Sequence, residues 1–217
     1  MRKIRAILFD LDGTLLDSAP DLVAALNWVR AGEGLPPLDV YPMSRHVSRG
    51  AAGLIQAGMP AAAPDQMDRW KSLLLSRYAQ HSFRHSSLYT GVPELLAHLE
   101  SVSIPWGIVT NKIQALTMPI LQAIGLADRA SCVVCGDTLD RNKPDPAPVR
   151  LACNILKIPE RETLFAGDDV RDLQAGRAAG TMTAVIHYGY GDHDDLDELV
   201  ASSEQIHQPS DILHLLK

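Results

Sequence analysis

The 217-residue sequence has little of what marks several specialised classes of protein. It contains only three cysteines, and an odd, low count argues against a disulfide-stabilised secreted scaffold. No apolar run approaches the ~20 residues needed to cross a bilayer. The apolar stretch after the basic start, residues 6–9, ends at Asp10 and is too short for a secretory signal. We therefore expect a cytoplasmic protein with no membrane partner.

An excess of basic residues is also missing. The formal net charge is −6, and the lysines and arginines are scattered along the chain, which disfavours a nucleic-acid-binding surface. With 46% hydrophobic residues, the chain can bury one good-sized core and a small second module. We expect a monomer or a homodimer whose partner is a small molecule, with no nucleic acid bound.

Two of the cysteines, Cys132 and Cys135, have the spacing of a redox or metal motif. They lie in a β-branched run typical of a buried strand, and a second pair of ligands is missing from the sequence. We therefore predict inert thiols in the core.

Short apolar runs alternate with segments of helical periodicity over most of the chain. This alternation predicts an α/β fold with a central parallel sheet and helices on both faces. The predicted strands are residues 5–9, 104–109, 132–135, 163–166 and 182–186. The predicted helices of this part cover residues 93–102, 116–124, 149–156, 173–179 and 196–200, followed by a docking segment at 209–216.

Residues 16–86 differ, because helical periodicity dominates there. We predict a small all-helical domain over 16–86, inserted into a core of residues 1–15 and 87–217. Its stripe of Met67, Trp70, Leu74 and Tyr78 fits core packing better than a cofactor face. The histidines at 81, 85 and 98 lie among polar residues, so we expect them at the surface.

Polar residues directly follow three of the predicted strands: Asp10, Thr110 and Asp168. Because the carboxyl ends of parallel strands meet at one edge of a sheet, we expect these side chains to converge there. Lys143 precedes a predicted helix that can hold it near the same edge.

The chemistry of this set points to phosphoryl transfer. Asp10 and Asp12 are two residues apart and cannot both stay ionised cheaply without a cation. With Asp168 they make an all-oxygen site suited to Mg²⁺. Asp10 can then attack a phosphate as nucleophile, and Asp12 can act as acid and base.

These residues fall into four motifs that resemble those of the haloacid dehalogenase superfamily. The motifs are residues 9–18, 109–111, 143–146 and 167–172, in the order of the family. The resemblance implies a Rossmann-like core and Mg²⁺-dependent hydrolysis through an aspartyl-phosphate. The resemblance gives Asp10 the roles of nucleophile and metal ligand, and it makes Asp12 an acid/base whose backbone carbonyl binds the metal.

The resemblance assigns the remaining motif residues to supporting roles. Thr110, Asn111 and Lys143 would bind phosphate. Asp168 would bind the metal, with Asp169 and Asp172 around it.

A helical insertion between the first two motifs resembles a type-1 cap, a lid that reads the substrate. Its best candidates for substrate contacts are Arg45, Ser48 and Arg49, which form a basic segment beside small residues. A solvated helix end is the competing interpretation.

Several functions compete within and beyond this family. Asp12 argues against a dehalogenase, and the pair Gly167-Asp168 argues against a phosphoglucomutase. Residues 106–112, 175–180 and 188–190, with the last two motifs, most resemble N-acetylmuramic acid 6-phosphate phosphatases of cell-wall recycling. A phosphoglycolate phosphatase is the alternative. From another class, a phospho-accepting receiver domain would share an acceptor Asp, a Thr and a Lys, and an inactive binding scaffold is a further option.

Overall fold

The computed structural model describes residues 3–191 and 197–216. The chain divides into two compact units, each dominated by one kind of secondary structure. Met1–Leu16 together with Leu88–Lys217 forms a unit built on a β-sheet, called here the sheet unit. Asp17–Ser87 forms a second unit made mainly of helices, called here the helical unit.

Alternating strands and helices give the sheet unit its architecture. The strands of the chain are β1 (Ala6–Phe9), β2 (Leu16–Asp17), β3 (Ser87–Leu88), β4 (Trp106–Val109), β5 (Cys132–Val134), β6 (Thr163–Gly167), β7 (Met182–Ile186) and β8 (Glu204–Ile206). Six of them form one sheet in the order β5-β4-β1-β6-β7-β8, and β2 pairs with β3 separately. All neighbours in the large sheet are parallel, which confirms the predicted fold class.

Helices flank this sheet. The helices of the chain are α1 (Ala19–Gly32), α2 (Val40–Ser44), α3 (Gly50–Gly58), α4 (Pro64–His81), α5 (Val92–Ser101), α6 (Gln114–Ala123), α7 (Ala147–Leu156), α8 (Val170–Ala179) and α9 (Asp197–Ala201). Short 3-10 helices cover Glu160–Glu162 and Pro209–Leu216. All four residues of β1 and of β4 are buried, as expected for inner strands covered on both faces.

The structure corrects some of the predicted element boundaries. The strand predicted from residue 104 begins at Trp106, after Pro105, which has no N–H to donate to a neighbouring strand. Helix α8 begins at Val170 rather than Leu173, because Asp169 caps it. Strand β8 was not predicted, because it has only three residues and two of them are exposed. The last predicted helix is present as α9, but Leu196 lies outside the described residues.

The helical unit packs around the stripe predicted from the sequence. Trp70, Leu74 and Tyr78 on α4 are buried, and Met67 is half-buried. The prediction of a core stripe is therefore confirmed. His81 departs from its predicted surface position, since it is half-buried.

The three cysteines, Cys132, Cys135 and Cys153, are buried and free of disulfides. Burial and the neighbouring Cys153 raise the pKa of Cys132 to about 12. A thiol with so high a pKa is neutral and unreactive at physiological pH, which fits inert core thiols. Among the described residues, no helix has the length and apolar character needed to span a membrane.

Candidate active site

Three carboxylates meet at one edge of the large sheet. Asp10 follows β1, and Asp168 follows the neighbouring parallel strand β6. Asp172 lies in the first turn of α8. One oxygen from each of these three residues lies within 4.8 Å of the other two. Fractional exposures of 8% for Asp10, 1% for Asp168 and 2% for Asp172 show that the cluster is shielded from water.

Burial raises the pKa values of these carboxyl groups. The pKa of Asp168 lies well above its ordinary value because of desolvation and the charges of Asp10 and Asp172. Burial likewise raises the pKa of Asp172 to about 7 and that of Asp10 above its usual range, although Lys143 opposes both shifts. When ionised, these three buried carboxylates would carry more charge than the single ammonium group that contacts them within the described residues, and a divalent cation would balance the excess.

Lys143 supplies that ammonium group. Its Nζ lies 2.7 Å from Oδ1 of Asp10 and 2.7 Å from Oδ1 of Asp172, and it donates to the carbonyl oxygen of Val109 at 2.8 Å. Burial alone would lower the pKa of Lys143, but the two carboxylates raise it above its ordinary value. Lys143 is therefore a fixed cation in a buried site.

Asn111 holds the backbone of Lys143 in place. The Asn111 amide donates to the Lys143 carbonyl oxygen, and the Lys143 N–H donates back to the Asn111 amide oxygen, both at 3.0 Å. The sequence predicted a phosphate contact for Asn111. The structure shows that its side-chain amide is engaged in orienting Lys143.

Thr110 follows β4 and is 4% exposed. The backbone N–H of Lys112 donates to its hydroxyl oxygen at 3.2 Å. Because that oxygen acts as an acceptor there, the hydroxyl proton can be donated to another group, such as a phosphate oxygen.

Asp12 is not a member of the three-carboxylate cluster found among the described residues. Its Oδ1 accepts a hydrogen bond from Nζ of Lys112 at 2.7 Å, and only 7% of the Lys112 side chain is exposed. Sequence reasoning gave Lys112 no role. Lys112 is nevertheless the last residue of the run 106–112, which was noted for its resemblance to relatives.

Two loops hold Asp168 from opposite sides of its carboxylate. The hydroxyl of Thr14 donates to Oδ1 at 3.0 Å, and the backbone N–H of Tyr190 donates to Oδ2 at 2.9 Å. Gly189 packs directly against the backbone of Gly13. A Cβ added at Gly189 would lie 2.2 Å from the Gly13 carbonyl oxygen. Sequence reasoning assigned no function to Gly189 or Tyr190, although the run 188–190 was noted for its resemblance to relatives.

The two acidic residues after Asp168, Asp169 and Asp172, make different contacts. Asp169 is the N-cap of α8 and accepts from the backbone N–H of Arg171 at 2.9 Å. Asp172 completes the capping box by accepting from the Asp169 N–H at 3.1 Å, and its other oxygen belongs to the carboxylate cluster. The carboxylate cluster of the described residues thus includes Asp172, whereas the Asp169 side chain caps the N-terminus of α8.

The three residues expected to read the substrate lie together in the helical unit. Arg45 is the C-cap of α2 and Arg49 is the N-cap of α3, with Ser48 in the turn between them. Both arginines are exposed. Burial and the charges of Arg49 and Arg45 lower the pKa of His46 in the same turn. The turn is therefore a basic surface of the helical unit.

Comparison with known proteins places these features in a family. Residues 7–186 match the model of haloacid dehalogenase-like hydrolases. The chain is 44% identical over 190 residues to N-acetylmuramic acid 6-phosphate phosphatase of Pseudomonas aeruginosa, covering 87% of this chain and 84% of that protein. It is 37% identical over 197 residues to phosphoglycolate phosphatase of Chromobacterium violaceum, covering 88% and 89%.

A solved structure agrees with these matches. The crystal structure of a predicted phosphoglycolate phosphatase from Haemophilus somnus aligns over 100% of both chains with a TM-score of 0.88 and 28% sequence identity. The similarity therefore extends over the whole chain.

Proposed function

The chain belongs to the haloacid dehalogenase-like hydrolase family and is a phosphoric monoester hydrolase, and from this premise we propose that its substrate is N-acetylmuramic acid 6-phosphate. The observation that supports this choice most directly is the 44% identity to the Pseudomonas aeruginosa phosphatase of that ester, over 84% of its length. The buried carboxylates beside Lys143 supply the chemistry that such a reaction needs.

In the proposed first step, a carboxylate oxygen of Asp10 attacks the phosphorus atom. A bond forms between that oxygen and phosphorus, and the bond from phosphorus to the ester oxygen breaks. Lys143, 2.7 Å from Asp10, favours the ionised form of the nucleophile and offsets charge on the transferring group. The Thr110 hydroxyl donates to a phosphate oxygen.

Asp12 is proposed to protonate the departing ester oxygen. In the second step it takes a proton from water, and the water oxygen attacks the phosphorus of the aspartyl-phosphate on Asp10. Phosphate leaves and the Asp10 carboxylate is regenerated. The Asp12 side chain is not a member of the carboxylate cluster found among the described residues, so proton transfer by Asp12 does not compete with the cation proposed for that cluster.

The cation proposed for the cluster is Mg²⁺, since every side-chain donor is a carboxylate oxygen. Asp10 and Asp168 would hold it with the backbone carbonyl of Asp12, and Asp172 would lie beside them. When bound, Mg²⁺ would neutralise negative charge on the phosphoryl group as a Lewis acid.

The helical unit is proposed to act as the cap that selects the rest of the substrate. Its basic turn, with Arg45, Ser48 and Arg49, would bind polar or anionic groups of the phosphorylated metabolite. N-acetylmuramic acid 6-phosphate carries a carboxylate and an amide in addition to its phosphate, so it offers such groups.

Phosphoglycolate is the second candidate substrate, because the Chromobacterium violaceum relative that bears this activity in its name is 37% identical over 89% of its length. A receiver domain is not favoured, since the hydrolase family model covers residues 7–186.

A panel of phosphate esters tests the proposal. Steady-state kcat/KM would be measured with Mg²⁺ on N-acetylmuramic acid 6-phosphate, phosphoglycolate, hexose 6-phosphates and p-nitrophenyl phosphate. We expect the muramic acid ester to give the highest value and Asp10→Asn to abolish turnover of every ester while the fold persists. A higher kcat/KM on phosphoglycolate would overturn the proposed substrate, and normal turnover by Asp10→Asn would overturn the covalent mechanism.

A further inference from the structure

The helical unit contains a pocket that the proposed catalytic cycle does not use. Its volume is about 110 Å³, roughly the space of three or four water molecules at ~30 Å³ each. The pocket lies between the start of α1 and the end of α4. Its lining residues are Asp21, Ala24, Ala25, Arg77, His81, Arg84 and His85.

The polar lining of this pocket is mostly basic. Two arginines and two histidines face a single acid, Asp21. Within residues 3–191 and 197–216, neither Arg77 nor Arg84 forms an ion pair with a carboxylate. Arg77 instead lies over the ring of Trp28, with its guanidinium carbon 5.4 Å from the ring centroid. The two guanidinium groups therefore keep most of their capacity to bind an anion.

The Asp21 carboxylate is hydrogen-bonded to the segment 84–86, which forms part of the pocket wall. Its carboxylate accepts from the backbone N–H groups of Arg84, His85 and Ser86 at 2.9 to 3.2 Å, and from the Ser86 hydroxyl at 2.6 Å. These four donors satisfy the acceptor oxygens of Asp21 and fix the segment that carries Arg84 and His85. The Asp21 carboxylate thus has its hydrogen-bond partners within the protein, and the side chains of Arg77 and Arg84 remain to bind a ligand.

His81 provides a second, independent observation. A guanidinium group has only donors, so the contact between Nη1 of Arg77 and Nε2 of His81 makes Nε2 an acceptor. The proton of the neutral imidazole then lies on Nδ1. This Nδ1 is buried and has no hydrogen-bond partner in the described part of the chain. A buried N–H donor without an acceptor costs free energy, and an anion that accepted its hydrogen bond would recover that cost.

We propose that this pocket of the helical unit, built by Arg77, His81, Arg84 and His85, is a binding site for a small oxyanion, a phosphate or carboxylate group. Arg84 and His85 are exposed, so an anion can reach the site from solvent. The site is separate from the carboxylate cluster in sequence and in chemistry. Its existence does not depend on which ester is hydrolysed.

The test uses inorganic phosphate as the probe and the complete protein with Mg²⁺. Phosphate would be titrated while NMR follows the ring signals of His81 and His85. A product phosphate in the active site would be tracked separately through the backbone amide of Tyr190, which contacts Asp168. We expect the histidine signals to shift and saturate on a curve distinct from that of Tyr190.

Variants link the signal to the pocket. Arg84→Gln is the main variant because its exposed side chain leaves folding intact, and it should weaken phosphate binding at the histidines about tenfold or more. Arg84→Lys should retain part of the affinity. Arg69→Gln is the matched control, since Arg69 is an exposed arginine of α4 outside the pocket lining, and it should titrate like the parent.

Two results would overturn the site. One is the absence of a saturable shift at His81 and His85, and the other is an Arg84→Gln protein whose histidines titrate like the parent. Kinetics then distinguish the source of the anion. A raised KM of Arg84→Gln for the muramic acid ester, but not for p-nitrophenyl phosphate, identifies a group of the substrate. Unchanged values for both identify a free anion.

Discussion

The Nζ atom of Lys112 lies 2.7 Å from Oδ1 of Asp12, and both side chains are largely shielded from solvent. The proposed acid/base therefore has an ammonium partner at the distance of a charged hydrogen bond. The ion pair also holds the Asp12 carboxylate in one position, two residues from the proposed nucleophile Asp10.

Replacing Lys112 with Met should lower kcat for the preferred ester by about tenfold, less than the ~100-fold or greater loss expected for Asp12→Asn. The Met side chain keeps the packing of the lysine stem but removes the charge that orients Asp12. Steady-state and single-turnover kinetics would show whether the loss falls on hydrolysis of the phosphoenzyme. Lys112→Arg should recover part of the activity. Full activity in Lys112→Met would contradict a positioning role.

The sequence was sufficient to predict the sheet and the residues gathered at its edge, for a simple physical reason. Asp10, Thr110 and Asp168 each end a short apolar strand, and parallel strands bring their carboxyl ends to one edge. The structure confirms that β1 pairs with both β4 and β6, so these three residues lie at the ends of adjacent strands.

Contacts within the site were harder to predict, because they depend on how loops fold back. The sequence does not show that the Tyr190 N–H reaches Asp168 across 22 positions, or that Lys112 pairs with Asp12 across 100. It also left Asp169 and Asp172 equivalent. Only the capping geometry of α8 shows that Asp169 binds the helix end while Asp172 joins the cluster.

The carboxylate cluster predicts a pH-dependent response to metal. The pKa of Asp172 is raised from 3.8 to about 7, so the folded protein binds this proton more tightly than the unfolded chain does. The stabilisation is present in full below about pH 4 and is lost as the pH rises through about 7. Mg²⁺ binds ionised carboxylates, and we therefore expect it to raise Tm more at about pH 8 than at about pH 5. Thermal denaturation with EDTA or Mg²⁺ at both pH values measures this, and an equal response at both would contradict it.

A matched pair of substitutions tests which carboxylate causes that response. Asp168→Asn removes a buried charge and should stabilise the metal-free protein at about pH 8 by roughly 1–3 kcal/mol while removing most of the Mg²⁺ effect. Asp169→Asn keeps an N-cap residue of similar quality and should respond to Mg²⁺ like the parent. Loss of the Mg²⁺ effect in Asp169→Asn alone would exclude the proposed metal ligands.

Gly189 offers a test of the loop that holds Asp168. A Cβ at this position would lie 2.2 Å from the Gly13 carbonyl oxygen and 2.5 Å from Cβ of Asp168, so Gly189→Ala must displace the loop and the Tyr190 N–H with it. We expect the affinity for Mg²⁺ to fall about tenfold or more, since partners of metal ligands commonly contribute that much. The Mg²⁺ dependence of kcat/KM measures the change. Gly32→Ala is the control, because nothing lies within 4 Å of its added Cβ. An unchanged Mg²⁺ dependence in Gly189→Ala would show that the loop does not position Asp168.

The basic turn of the helical unit tests the proposed selection of substrate. Arg45→Ala and Arg49→Ala should each raise KM for the muramic acid ester by about tenfold, the effect of losing one charged hydrogen bond. Their effect on p-nitrophenyl phosphate should be much smaller, because that ester has neither the carboxylate nor the amide of the muramic acid ester. Arg69→Ala, which removes an exposed charge from α4, controls for the net charge of the unit. Equal losses on both esters would instead assign the two arginines a role in phosphate binding or folding, since such roles do not distinguish one ester from another.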